Sequence, residues 1–160
     1  MADIKHTMFV NTSVDALDAI VRDFHRWSEF VVGMSGPTRV FGDGGQGTKA
    51  EFTTSIMGVQ RRLVYRTVEE RHNPDGSTDW RWDIEGAAWG WQTCRHEPRD
   101  EGIEVTTEYD YGLPGSVFGK VADRLLFEKR MRRDFEESLE NLKLLAETKV
   151  AAPVSIAATG

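Results

Sequence analysis

Between Thr38 and Tyr111 the chain is a succession of short stretches that alternate apolar and polar side chains, each cut off by a turn signal. Alternation with a period of two marks strands that bury one face. The expected strands are Thr38 to Phe41, Thr48 to Ile56, Gln60 to Glu70, Thr78 to Glu85, Ala88 to His96 and Ile103 to Tyr111, with one more ahead of them on Ile4, His6, Met8 and Val10. Between the first strand and this run, Thr12-Ser13-Val14-Asp15 caps a short helix carrying Leu17, Ile20 and Val21. Phe24, Trp27 and Phe30 mark a second helical turn, stopped by Gly33 and Gly36-Pro37. After the strands comes one long helix, from Gly115 or Ser116 to about Glu147, rich in Leu, Glu, Lys, Arg and Ala. About 30 helical residues span about 45 Å, enough to cross a whole sheet. The economical way to bury both is an α+β fold, a seven-stranded curved antiparallel sheet around the long C-terminal helix, with two short helices after strand 1.

Composition narrows the function. A chain of 160 residues fits a single domain, expected over residues 1–148, followed by a disordered tail over 149–160. There is no apolar run near 18 residues, so no integral membrane segment is expected, and no basic stretch precedes an apolar block at Met1, which leaves a cytoplasmic protein as the expectation. A net charge of −6 argues against a nucleic-acid partner. The single cysteine, Cys94, excludes an intramolecular disulfide and reads as a small buried hydrophobe rather than a reactive thiol. His6, His25, His72 and His96 make no helical or strand pair, so neither a metal nor a cofactor is expected, and His96 has no evident partner. Gly42 to Gly47 lies between strands and lacks the Lys-Ser/Thr ending of a phosphate loop, so it reads as a hairpin loop.

Two features point to a site. Trp80/Trp82 and Trp89/Trp91 are pairs spaced by two, so each pair shares one strand face. Trp80, Trp82 and Ile84 alternate with charged residues and point inward, as core filler, cavity wall or both. Trp89 and Trp91 alternate with small residues, and their side is open. Val105, Thr107, Tyr109 and Tyr111 share a face on the next strand, where the two phenols either supply hydroxyls to a cavity or pack at the sheet's end. On the last helix Val117, Val121, Leu125, Phe135, Leu139, Leu142 and Ala146 cluster on one side, but Arg124, Glu128 and Arg132 fall within that stripe. Either these three reach past the sheet edge or the helix overhangs it there, or they project into a cavity as an Arg-Glu-Arg ladder with donors left for a polar ligand group.

Three stretches carry a family resemblance: Val10 to Leu17 at the first strand-to-helix turn, Phe24 to Phe30, and Tyr111 to Lys120 leading into the last helix. With the order of elements from Ile4 to Glu147, the chain resembles the START/Bet v 1-like superfamily of the helix-grip fold, and within it the polyketide cyclase/dehydrase and lipid-transport-like group. The resemblance implies a cavity between sheet and helix. The expected function is binding of a hydrophobic small molecule, lipid-like or polycyclic, by Trp27, Phe30, Trp80, Trp82, Trp89, Trp91 and Met131, with Tyr109, Tyr111, Arg124, Glu128 and Arg132 offering polar contacts. The alternative is a cyclase- or dehydrase-type enzyme using the same cavity, with Tyr109, Arg124 and His6 as candidate catalytic groups. A third expectation, a protein-interaction module, calls for a filled core and an exposed apolar patch around Leu126 and Leu144.

Overall fold

The strands are β1 (Ala2–Val10), β2 (Met34–Phe41), β3 (Lys49–Ile56), β4 (Val59–His72), β5 (Thr78–Gly86), β6 (Trp89–Arg99) and β7 (Gly102–Gly112). The computed structural model describes the backbone of residues 2–56, 58–113 and 121–159, and side chains within 3–148 apart from residue 57 and residues 114–123. All seven strands form one antiparallel sheet in the order β1-β7-β6-β5-β4-β3-β2. Strands β2 to β7 are a meander, and β1 returns to pair with β7 over its whole length. A register shift between Thr67 and Glu69 on β4, and another between Ser35 and Arg39 on β2, bend the strands in the way bulges do. Strand β2 begins at Met34, ahead of the expected Thr38, because Pro37 is tolerated on an edge strand where its missing N–H costs no ladder bond.

The link from β1 to β2 is a helix, α1 (Val14–Arg22), and a 3-10 helix (Phe24–Glu29). Ser13 Oγ accepts from the Ala16 N–H at 3.1 Å, the N-cap expected from the sequence. Asp23 accepts from the His25 N–H at 3.1 Å and starts the 3-10 helix. The Trp27 indole then donates to the Val21 carbonyl at 3.0 Å and fixes one helix against the other.

The last element is α2 (Val121–Thr159). The cap expected at Ser116 and the tail expected over 149–160 fall on residues whose side chains lie outside the described ones. The inward face of α2 carries Phe127, Met131, Phe135, Leu139, Leu142 and Ala146 at helical spacing. Leu139, Leu142 and Ala146 are buried, whereas Leu125, expected on the same stripe, is 59% exposed. Residues 138–147 of α2 therefore grip the rest of the molecule, while the turn around Leu125 and Leu126 stands off in solvent. Four hydrogen bonds hold the gripping stretch: Asn141 Nδ2 to the Phe30 carbonyl, the Val32 N–H to Ser138 Oγ, Lys143 Nζ to the Phe9 carbonyl, and the Asn11 N–H to Glu147 Oε2.

Candidate ligand cavity

Where α2 stands off, a cavity of about 570 Å³ opens between sheet and helix. Its size is that of a small-molecule site. Cross-strand partners share a face of a sheet, and the register sets which residues meet there: Trp82 lies opposite Thr67 and Gln92, Gln92 opposite Tyr109, and Cys94 opposite Trp80 and Thr107. Small residues sit on this side, Ala88 ahead of β6 and Cys94 within it, and that choice leaves volume unfilled. The aromatic wall is rigid. Trp27 meets Tyr65 and Trp82 edge to face at 5.0 and 5.4 Å, and Tyr109 stacks on Phe135 of α2 at 5.5 Å.

Of the residues expected from the sequence to contact a ligand, Trp27, Phe30, Trp82, Tyr109 and Met131 line this space. The others stand elsewhere. Trp80 is 1% exposed, stacks on Trp82 at 5.7 Å and lies behind the wall, in the core. Trp89 and Trp91 face outward: Trp89 is 46% exposed and Trp91 lies under the Arg81 guanidinium at 5.4 Å. The parity of β6 requires this, because Gln92, Cys94 and His96 take the inward positions. Tyr111 is buried against Tyr109 but off the wall, its phenol pushed up to about 12 by burial first and the Glu128 charge next, against Arg132 and Arg124. Arg124, Glu128 and Arg132 lie along the solvent-exposed flank of α2 beside Tyr111, Arg124 Nε donating to Glu128 Oε1 at 3.1 Å. None of the three is among the residues that line the cavity. His6 is half-buried on β1 opposite Thr107 and is not among the lining residues. Leu126 and Leu144 are exposed, Leu126 at the cavity's edge among its lining residues, and the core is not filled.

The wall has few polar groups free to meet a ligand. Thr107 Oγ1 donates to the Thr93 carbonyl, and Ser138 Oγ both accepts from Val32 and donates to the Asp134 carbonyl. The Tyr65 and Tyr109 phenols are hydrogen-bonded to each other, and burial pushes Tyr65 up to about 12 and Tyr109 well above its ordinary value, so both are neutral at physiological pH. The Gln92 carboxamide lies on the wall with no hydrogen bond to the described residues, which leaves it a donor and an acceptor for a bound molecule.

Behind the wall lies a buried cluster that the sequence reading did not assemble. Asp18 of α1 is 6% exposed, and its Oδ1 accepts from Thr78 Oγ1 at 2.8 Å, Trp80 Nε1 at 3.0 Å and His96 Nδ1 at 2.7 Å. His96 Nε2 lies 3.2 Å from Cys94 Sγ, and Cys94 is on the cavity wall. Burial opposes charge on His96, yet the Cys94 and Asp18 contacts outweigh it and bring its pKa up to about 9. Burial likewise works against the Asp18 carboxylate, and the His96, Trp80 and Thr78 contacts outweigh it and hold Asp18 below its ordinary value. Both ring nitrogens of His96 are thus engaged, Nδ1 with the Asp18 carboxylate and Nε2 with the Cys94 sulfur. The signal available in the sequence was the Cys94/His96 spacing of two, which puts thiol and imidazole on one strand face.

Residues 1–147 match the family described as polyketide cyclase / dehydrase and lipid transport. The chain belongs to this family. A search of curated proteins gave no match. Among solved structures, this member of the cyclase/dehydrase and lipid-transport family is similar to TTHA0849 from Thermus thermophilus, with a TM-score of 0.68 at 18% identity over 94% of this chain and 99% of that one. It is also similar to the Zhui aromatase/cyclase from Streptomyces sp. R1128 (TM-score 0.63, 15% identity, 93% and 95% of the two chains). A START superfamily protein from Mycobacterium smegmatis gives a TM-score of 0.57 at 15% identity over 94% and 97%. At such identities the likeness is one of fold, and that fold is the helix-grip fold of the START/Bet v 1 superfamily. Among the described residues no helix is long and apolar enough to cross a membrane.

Proposed function

We propose that this family member binds a hydrophobic small molecule, lipid-like or polycyclic, in the cavity between sheet and α2. The observation that carries the reading is a space of about 570 Å³ walled by Trp27, Tyr65, Trp82, Tyr109 and Phe135. Burying an apolar body there gains about 25 cal/mol per Å² removed from water, and the Gln92 amide gives one polar anchor. A cytoplasmic setting belongs to the same proposal, since a reducing compartment keeps the one thiol free.

The test is native mass spectrometry of freshly purified protein for a co-purifying ligand, with titration of an apolar fluorophore followed by quenching of tryptophan emission. A ligand mass or a saturable titration is expected, and the titration is expected to fail when Met131→Trp fills the space. Absence of both a ligand and a saturable titration in the wild type would sink the proposal.

The enzymatic reading has narrower support. Of its three candidates only Tyr109 lies on the wall, and a phenol pushed so far up is a better hydrogen-bond donor than proton shuttle.

A further inference from the structure

Holding an apolar molecule does not require a thiol on the wall with an imidazole and a carboxylate in line behind it. A cysteine that serves only as a small hydrophobe needs no such partners, and a buried carboxylate–imidazole pair carries a desolvation penalty that plain packing would avoid. Cys94 Sγ, His96 Nε2, His96 Nδ1 and Asp18 Oδ1 follow one another at contacts of 3.2 and 2.7 Å, and the sulfur end of the row is the end on the cavity. Both imidazole nitrogens are engaged, so the row has the form of a proton relay behind a nucleophile. Gln92 lies two residues before Cys94 on the same strand face, about 7 Å along it.

We infer that Cys94 is a nucleophile that captures an electrophilic ligand, an α,β-unsaturated ketone or aldehyde with an apolar body, with His96 holding the displaced proton and Asp18 positioning His96. The inference rests on the cavity being a ligand site. The sulfur adds to the β-carbon, forming a C–S bond while the C=C π pair moves toward the carbonyl as an enolate. The proton that left Sγ for His96 Nε2 is then delivered to the α-carbon. The net change is addition of S–H across C=C, with no oxidant or reductant, and the reverse path releases the enone and restores the thiol. The Gln92 amide is placed to donate to the enolate oxygen, three bonds from the carbon under attack. A flat aromatic or long-chain enone matches the wall, which offers indole and phenol faces and few other polar contacts.

The titratable and charged groups around the sulfur are His96 on its own strand, Asp18 from α1, Tyr109 from β7 and Tyr65 from β4, with Arg130 and Asp134 of α2 across the cavity. Among the described residues His96 is the one hydrogen-bonded to it. The pH profile of capture therefore reports the coupled Cys94–His96 pair.

The probes are trans-chalcone, an aromatic enone, and dihydrochalcone, which has the same body without the C=C bond. Intact-protein mass spectrometry is expected to find a single chalcone adduct on the wild type, formed about 10²-fold faster than with free glutathione at the same pH, and none on Cys94→Ser. Dihydrochalcone is expected to quench tryptophan fluorescence reversibly in both proteins. His96→Gln should slow adduct formation about 10²-fold and leave a rate that climbs about tenfold per pH unit below about pH 8, as for an isolated thiol. Asp18→Asn should move the wild-type profile in the same direction by about tenfold, a change that loss of packing alone does not produce.

If dihydrochalcone binds while chalcone forms no adduct, or reacts no faster than with glutathione, the inference falls and the cavity reading stands. An adduct on Cys94→Ser overturns it as well. If dihydrochalcone fails to bind the wild type, both fall together. The glutathione comparison needs no variant, so a variant that fails to fold does not blunt the test.

Discussion

Two tryptophans two residues apart on β5 do different work. Trp82 edges the cavity beside Trp27, whereas Trp80 gives its N–H to Asp18 and lies in the core. Trp80→Phe is therefore expected to lower stability by about 1–2 kcal/mol, through a lost hydrogen bond to a charged group, and to leave ligand titration unchanged. Trp82→Ala should weaken the titration itself. Equal loss of binding in both variants would contradict the division. The same carboxylate predicts a pH dependence whose sign follows from the direction of each shift. His96 binds its proton more tightly folded, at about 9 against an ordinary 6.5, so its contribution is full below about 6.5 and is lost as pH rises through about 9. Asp18 is held below 3.8, so its contribution is full above about 3.8 and is lost as pH falls through the lowered value. Thermal melts should show a stability plateau between those limits and a fall on the alkaline side that His96→Gln removes. An unchanged alkaline fall in that variant would refute the assignment. This cluster was not legible in the sequence because residues 18, 78, 80, 94 and 96 come from α1, β5 and β6, and nothing along the chain announces that α1 lays Asp18 over that part of the sheet.

At the scale of elements, the strands and their order were legible because alternation is a local property, whereas which face of β6 looks inward was not. Gly90, Gln92 and Cys94 are smaller or more polar than Trp89 and Trp91, and hydrophobicity alone puts the indoles inside. The opposite is observed because the sheet needs small inward residues where a volume is kept open, and the displaced indoles cover the outer surface under Arg81 and beside Gly112. The helix stripe has the expected phase but a different consequence. An apolar face implies apolar cover along its whole length only if the helix stays on the sheet, and Arg124 and Leu125 lie on turns that have moved off it into solvent. What holds the rest of α2 is a short set of polar ties. Ser138→Ala removes the acceptor of the Val32 N–H and should cost about 1 kcal/mol. Hydrogen exchange at the Val32 amide is expected to accelerate with little change at β6 and β7, and uniform acceleration across the sheet would contradict a local tie.

For the whole molecule, the open volume is a reserve of stability that occupation can draw on. A ligand present at a hundred times its dissociation constant adds about 2.7 kcal/mol. Met131→Trp, reaching into the same space from α2, is expected to raise the melting temperature modestly while abolishing that ligand-dependent increment. A lower melting temperature with ligand binding intact would mean the side chain does not enter the cavity. The tryptophan pairs and the interrupted helix stripe left an enclosed space as one of two readings and the family resemblance favoured it, because packing density is set by facing residues from distant elements and not by composition.

Strand β1 is made before the other six strands, yet its sheet partner is β7, and the Asn11 backbone beyond it waits for Glu147. During synthesis the opening strand therefore has no edge to join until about a hundred further residues have left the ribosome, and the cavity has no roof until α2 follows. Contacts that distant are slow to form, so a small molecule in the cavity acts on a late stage of maturation, after β1 has met β7 and α2 has followed.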